Sequence, residues 1–244
     1  MPKRTENTFP VAIVTGSAMR LGREVALSLA NNGFSICIHY NKSKPEAQKL
    51  ASEIETTFQK PVLLVKADIS KFAQIETMMK HILKKFGRID LLVNNASVFI
   101  KSRLEETTEE IWDKSLDTNL KGVFFCSKIA AKHMSKKQSG TIINIASLGG
   151  IKPFANYLPY SVSKAGLIML TKCLAKSLAP YILVNAIASG TIEFENEKVK
   201  RNEKILLKDY TKASEIADLV VFLATKNKHI TGQIISIDSG NSLI

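Results

Sequence analysis

Apolar residues in this chain follow two rhythms that alternate from end to end. Short runs such as Val11-Ala-Ile-Val and Phe34–Tyr40 have the unbroken hydrophobicity of strands buried on both faces. Between them apolar positions recur at helical spacing, as with Leu21, Val25, Leu27 and Leu29 in a helix expected over Arg20–Asn31 that stops at Asn31-Asn-Gly33. The same alternation predicts helices over Pro45–Phe58 and 71–86, with strands at Pro61–Val65 and Ile89–Val93. A long helical stretch follows from Thr108 to His133, with a break at Lys121-Gly122. Strands at Thr141–Ile145, Tyr181–Ile187 and Ile234–Ile237 and helices at Tyr160–Leu178 and Ser214–Ala224 complete the pattern. The polar stretch Glu193–Tyr210 breaks it and reads as a lid-like segment outside the core.

Strands alternating with helices require right-handed crossovers, hence a parallel sheet covered on both faces. The prediction is an α/β fold: one Rossmann-type, doubly wound domain of about seven strands flanked by helices, spanning residues 1–244. Repeats, low-complexity tracts and linkers are absent from the sequence.

Composition narrows the class. Hydrophobic residues make up 45% and charged residues 23%, which suits a globular domain and excludes disorder. The sequence has no apolar run long enough for a transmembrane helix and no signal-peptide pattern, so residence in the cytoplasm without membrane association is expected. Three scattered cysteines, Cys37, Cys126 and Cys173, argue against a disulfide framework and read as buried hydrophobes. The four histidines show no paired spacing, so no metal is assigned. The net charge of +12 is spread over lysine-rich stretches without interleaved aromatics, which describes a solvated surface rather than a nucleic-acid site. Such a surface could also attract anionic substrates.

The first chemical signal is Thr15-Gly-Ser-Ala-Met-Arg-Leu-Gly22 between a strand and a helix. A glycine turn there lets backbone N–H groups and the helix dipole hold a pyrophosphate. Gly16 permits the turn, Gly22 permits close packing, and Arg20 and Leu21 stand between them, Arg20 where a middle glycine is usual. A carboxylate after the second strand would bind the ribose of NAD, whereas cations bind the extra phosphate of NADP. Between Glu24 and Glu46 there is no acidic residue; Arg20 and the run His39, Tyr40, Asn41, Lys42, Ser43 are offered instead, so NADP(H) is expected. Asp68 and Ile69 follow the third strand, and Asn95, Ala96 and Ser97 the fourth, at sheet edges where cofactor binds.

The second signal is Tyr160-Ser-Val-Ser-Lys164 at the head of a long helix, with Ser147 just after the fifth strand. Residues four apart share a helix face, and an ammonium beside a phenol favours the phenolate. Tyr160 is therefore expected to donate a proton as hydride reaches a carbonyl or imine carbon. Ser147 would orient the substrate oxygen, and Asn119 would support a water leading to Lys164. Tyr40 and Lys44 have the same spacing, but Pro45 opposes a helix through both.

Together these residues resemble the short-chain dehydrogenase/reductase family: the glycine motif, Asp68, Asn94-Asn-Ala-Ser97, Asn119, Ser147, Tyr160, Lys164, Ile230-Thr-Gly-Gln233 and Asp238-Ser-Gly240. The resemblance implies a Ser-Tyr-Lys-Asn tetrad and a homotetramer. It also implies that Tyr160 and Lys164 contact the cofactor, and that Gly190, Thr191 and Ile192 border the nicotinamide. Ser189 stands where the family usually has proline. Within the family, Arg20-Leu-Gly, His39-Tyr-x-x-Ser43, Asn-Ala-Ser97-x-Phe99 and the ending Ser-Gly-Asn-Ser-Leu243 resemble pteridine reductases, which would make Ser97 and Phe99 pterin-binding residues. Those enzymes carry Asp at the position of Ser147, whereas a serine suits a ketone or β-keto thioester. A pteridine or dihydrofolate substrate leads. A 3-oxoacyl-[acyl-carrier-protein] reductase comes second, and a non-catalytic cofactor-binding regulator is more remote.

Overall fold

The computed structural model describes residues 8–194 and 205–244. Its elements, in chain order, are β1 (Val11–Val14), α1 (Arg20–Asn31), β2 (Ser35–Tyr40), α2 (Lys44–Phe58), β3 (Val62–Lys66), α3 (Phe72–Phe86) and β4 (Leu91–Asn94). There follow α4 (Glu109–Leu116), α5 (Gly122–Lys136), β5 (Gly140–Ser147), α6 (Leu158–Leu178), β6 (Ile182–Ser189), β7 (Ile192–Glu193), β8 (Thr211–Lys212), α7 (Ala213–Thr225) and β9 (Ile234–Ile237).

The main sheet has seven strands in the order β3-β2-β1-β4-β5-β6-β9, every pair parallel. β1 and β4 are neighbours although the chain leaves β1 in the direction of β2, which makes the crevice at their carboxyl ends the switch point of the fold. The apolar runs explain the sheet. Val11–Val14 is buried throughout, and its side chains divide between two cores. Ala12 and Val14 join Val25, Leu29, Leu50, Ile54 and Val220, so α1, α2 and α7 cover one face. Val11 and Ile13 join Ile75, Met79, Cys126, Met134 and Ala175, which places α3, α5 and α6 on the other. Burying aliphatic side chains of this size stabilises by about 1.5–3 kcal/mol each, so the two cores hold the sheet edge still.

Two local features differ from the expected pattern. The break in the long helix is a π-helical turn over Asp117–Lys121 rather than a kink at Lys121-Gly122. Gly122 instead marks a close approach: a Cβ there would lie 2.4 Å from the Ile69 carbonyl oxygen. The lid-like segment begins and ends in a small parallel ladder, with Ile192 opposite Thr211 and Glu193 opposite Lys212. The middle of that segment, 195–204, lies outside the described residues. Cys37 and Cys126 are buried as expected, but Cys173 is exposed on α6. No helix among the described residues is long and apolar enough to cross a membrane.

Candidate active site

The crevice is built first from backbone. After β1 the chain turns at Gly16 (φ +64°) and Arg20 (φ +52°), so Arg20 holds a left-handed conformation that glycine adopts more readily. The turn lies so close to the loop after β4 that a Cβ on Gly16 would sit 2.9 Å from Ala96 Cα. A Cβ on Gly22 would sit 2.4 Å from the Gly16 carbonyl and 2.6 Å from Asn95 Nδ2. Thr15 pins the two loops together: its hydroxyl accepts from the N–H groups of Asn95 (2.9 Å) and Ala96 (3.0 Å). The Asn95 amide returns the contact by donating to the carbonyls of Thr15 (2.9 Å) and Gly16 (3.1 Å). At the N-terminus of α1, Met19 offers no side-chain cap and the first turn carries no acid. A cradle that only glycine can line, opening onto an uncapped helix N-terminus, suits an anionic pyrophosphate.

His39 corrects one expectation. Its ring is buried: Nδ1 accepts from the Gly16 N–H at 2.9 Å, and Nε2 lies 3.0 Å from the Ala67 carbonyl. These partners assign the proton to Nε2. Burial pushes the ring's pKa down to about 4, so it is neutral and supplies no charge to a phosphate. It is a strut between β2, the glycine turn and the end of β3. The cations that remain at this rim are Arg20, whose guanidinium lies 5.5 Å from the Phe194 ring, and Lys42, exposed beside exposed Asn41 and half-buried Ser43.

Further along the edge, half-buried Asp68 accepts from the N–H (3.0 Å) and hydroxyl (2.7 Å) of Ser70, with Ile69 buried behind it. Gly190 donates to the Ile237 carbonyl at 2.9 Å, and a Cβ there would lie 2.9 Å from Asp238 Cα, so the Gly190, Thr191, Ile192 segment is threaded closely past the end of β9. Asn119, in the π turn, is fully buried. Its Oδ1 accepts from Val98 N–H (2.8 Å) and the Ser97 hydroxyl (3.0 Å), while Nδ2 donates to the Val98 carbonyl and Ser163 Oγ, both at 3.0 Å. All four hydrogen-bonding positions of the amide are thus filled by protein. The Asn119 side chain thus clamps the loop that carries Ser97, and a water leading to Lys164 would have to be held by its main chain.

Ser147, Tyr160 and Lys164 come together at the ends of β5 and α6. Ser147 Oγ accepts from the Gly149 N–H at 3.0 Å and is also hydrogen-bonded to the Tyr160 phenol. Lys164 is buried one turn further along α6, donates to the Ile145 carbonyl at 2.8 Å, and lies 5.7 Å from the Tyr160 ring centre. Burial pushes its pKa down to about 7. Burial also raises that of Tyr160, against a smaller lowering from Ser147. In the site as it stands, burial is the larger influence on the phenol, and the draw toward the phenolate expected of Lys164 belongs to the mechanism proposed below. Phe99, more than half exposed, sets its ring at a steep angle to that of Tyr160, with centroids 4.6 Å apart. The other ring on Phe99 is Tyr157, which the sequence pattern did not mark because an aromatic before a helix is common and its partner is distant in sequence.

A doubly wound sheet with a glycine cradle at its switch point defines a dinucleotide-binding α/β protein. Comparison with known proteins is more specific. The profile described as short chain dehydrogenase matches residues 10–205. Over 238 residues the chain is 37% identical to 3-oxoacyl-[acyl-carrier-protein] reductase FabG of Staphylococcus epidermidis, covering 94% of this chain and 97% of that one. It is also 37% identical over 243 residues to 3-oxoacyl-[acyl-carrier-protein] reductase of Synechocystis, covering 97% and 98%. The crystal structure of acetoin dehydrogenase YohF from Salmonella typhimurium matches with a TM-score of 0.89 at 31% identity, covering 97% of both chains. The chain belongs to the short-chain dehydrogenase family and is an oxidoreductase. The family resemblance and the fold drawn from sequence hold. The narrower likeness to pteridine reductases is not supported, since these relatives are named 3-oxoacyl reductases.

Proposed function

We propose that this protein is an NADPH-dependent reductase of a β-keto thioester, acting on a 3-oxoacyl group carried by an acidic protein or a coenzyme thiol. The observation that carries the reading is the pair of hydroxyls at the ends of β5 and α6, buried Ser147 hydrogen-bonded to half-buried Tyr160, beside the glycine cradle. Two neutral donors suit a ketone oxygen, where an acid would be needed to protonate a ring nitrogen. Whole-length similarity to 3-oxoacyl reductases supports the same substrate class.

In this reading a bound nicotinamide supplies the hydride to the carbonyl carbon. Ser147 hydrogen-bonds the substrate oxygen and orients it. Tyr160, whose pKa burial raises from its ordinary value, gives its phenolic proton to that oxygen as negative charge develops there. Lys164 sits beside the phenol; burial makes its ammonium costly, and in its charged form it would stabilise the tyrosinate that follows proton loss. Asn119, Ser97, Asn95, Ala96, Leu21, Gly16 and Gly22 form the walls of the crevice, Asp68 and Ile69 its adenine end, and Gly190, Thr191 and Ile192 its nicotinamide end. Arg20 and Lys42 favour the phosphate of NADP. Residues 1–244 as one catalytic unit, a homotetramer and a cytoplasmic setting accompany this proposal.

A second reading is a small hydroxyketone or diketone substrate, favoured by the likeness to acetoin dehydrogenase YohF. NADPH oxidation by the purified protein with acetoacetyl-CoA, diacetyl and dihydrobiopterin, beside a Tyr160→Phe control, distinguishes them. Tyr160-dependent turnover of the thioester supports the proposal. Turnover of diacetyl alone establishes the second reading, and turnover of the pterin alone overturns both.

A further inference from the structure

Two loops that are remote in sequence are zipped together over the active site. Ser102 and Tyr157 form an isolated parallel bridge in which Ser102 N–H donates to the Asn156 carbonyl at 2.8 Å and Leu158 N–H to the Ser102 carbonyl at 3.4 Å. Ser102 is fully buried, and its hydroxyl shares a hydrogen bond of 2.7 Å with Thr107 Oγ1. The loop after β4 is thereby tied to the loop before α6. Above this tie the rings of Phe99 and Tyr157 stack, with centroids 4.1 Å apart and planes within 4° of parallel. Phe99 in turn meets Tyr160 at 74° with centroids 4.6 Å apart.

Phe99 is 57% exposed, and a ring that exposed has little of its own to hold it in one rotamer. Here it is held from two sides, by a stack that orients it and a perpendicular contact that transmits that orientation. We propose that Tyr157 is a positioning residue: through Phe99 it fixes the Tyr160 ring against Ser147 and keeps water from that side of the phenol. The proposal rests on the reading of Tyr160 as proton donor.

The electrostatic surroundings make this measurable. Burial is what raises the phenol's pKa, and the Phe99 ring stands against the Tyr160 ring, so loosening that ring should lessen the shift. The charged group facing the phenol along α6 is Lys164, and Ser147 faces it from β5 as a neutral donor. Lys152, beyond the turn after β5, is engaged by the carbonyls of Asn241 and Ile244. Lys101 and Arg103 in the loop after β4 are exposed, and Asp117 and Lys121 in the π turn pair with each other.

The test uses Tyr157→Ala, Tyr157→Leu, Tyr157→Phe, Phe99→Ala and the Phe99→Ala/Tyr157→Ala double variant of the full chain. With acetoacetyl-CoA and NADPH, Tyr157→Ala and Tyr157→Leu are expected to lower kcat about tenfold. NADPH affinity, read by fluorescence, stays unchanged, and Tyr157→Phe restores kcat because it keeps the ring. The double variant is expected to be no worse than Phe99→Ala alone, since the effect passes through Phe99. A substrate-free readout accompanies these. Ultraviolet titration of the Tyr160 phenol, taken as the difference from the same variant carrying Tyr160→Phe, should move to lower pH in Tyr157→Ala and Tyr157→Leu but not in Tyr157→Phe. Additive losses in the double variant, a Tyr157→Phe as impaired as Tyr157→Ala, or an unmoved titration would overturn the proposal. If the wild type reduces none of the carbonyl substrates, the reading of function fails while the titration still decides the positioning role.

Discussion

The two halves of the site are held by different forces. On the cofactor side the contacts run between main chain and main chain, or between a short polar side chain and main chain: Thr15, Asn95 and His39 each bridge two loops. On the catalytic side, rings and hydroxyls meet one another, and among the described residues the main-chain anchors of the polar groups are Ser147 to Gly149 and Lys164 to Ile145. The first arrangement fixes a shape that any dinucleotide pyrophosphate requires. The second shifts two ionisable groups in opposite directions, Tyr160 upward and Lys164 downward, which bears on proton transfer rather than on shape. A steric defect should therefore break the first half, and an electrostatic or hydroxyl defect the second.

The largest separation is expected from Tyr160→Phe. It removes the proposed proton donor and leaves the walls, so turnover should fall about 10³-fold while NADPH binding, measured by fluorescence, is unchanged. Gly22→Ala should do the reverse. Its Cβ would meet backbone and Asn95 at 2.4–2.6 Å, which costs about 3 kcal/mol in urea unfolding and weakens NADPH binding. An intact NADPH affinity in that variant would show that the cradle is not where the cofactor binds.

pH sharpens the comparison further. His39 has a folded pKa of about 4 against 6.5 in the unfolded chain. The unfolded chain takes up the proton first, so stability from this ring is complete above pH 6.5 and is lost as pH falls toward 4, by about 3 kcal/mol. In His39→Gln the acid limb of the stability curve should be shallower, although the protein is weaker at neutral pH. Lys164 is also depressed, from 10.5 to about 7, so its burial penalty is full below pH 7 and is relieved as pH rises toward 10.5. Replacement by Met should flatten that alkaline rise in stability while abolishing turnover. The smallest effect is at the rim: Lys42→Ala should raise the KM for NADPH about tenfold and leave that for NADH unaltered.

Legibility in the sequence followed the range of the forces involved. Strand and helix extents were readable because Val11–Val14 or Leu21, Val25 and Leu29 declare their burial in their own spacing. The π turn was not, because nothing near Asp117 signals that Asn119 must reach Val98 and Ser163. His39 closely precedes the exposed polar and basic residues Asn41 and Lys42 and so resembled a phosphate ligand; two backbone groups at Gly16 and Ala67 decide otherwise. The ladder of Ile192–Glu193 with Thr211–Lys212 joins residues too few and too polar to be recognised as strands.

By itself the sequence determined the parallel α/β architecture, the place of the glycine turn and the helical spacing that sets Tyr160 beside Lys164, because hydrophobic period and short motif spacing are local properties. Only the tertiary structure decided that His39 is neutral, that the Asn119 amide is spent on a loop, and that the Tyr160 ring meets Phe99, itself stacked on Tyr157. Each of those depends on how much water the fold excludes and which distant backbone group fills a hydrogen bond. Burial and partner choice arise only when segments remote along the chain are brought within a few ångströms of one another.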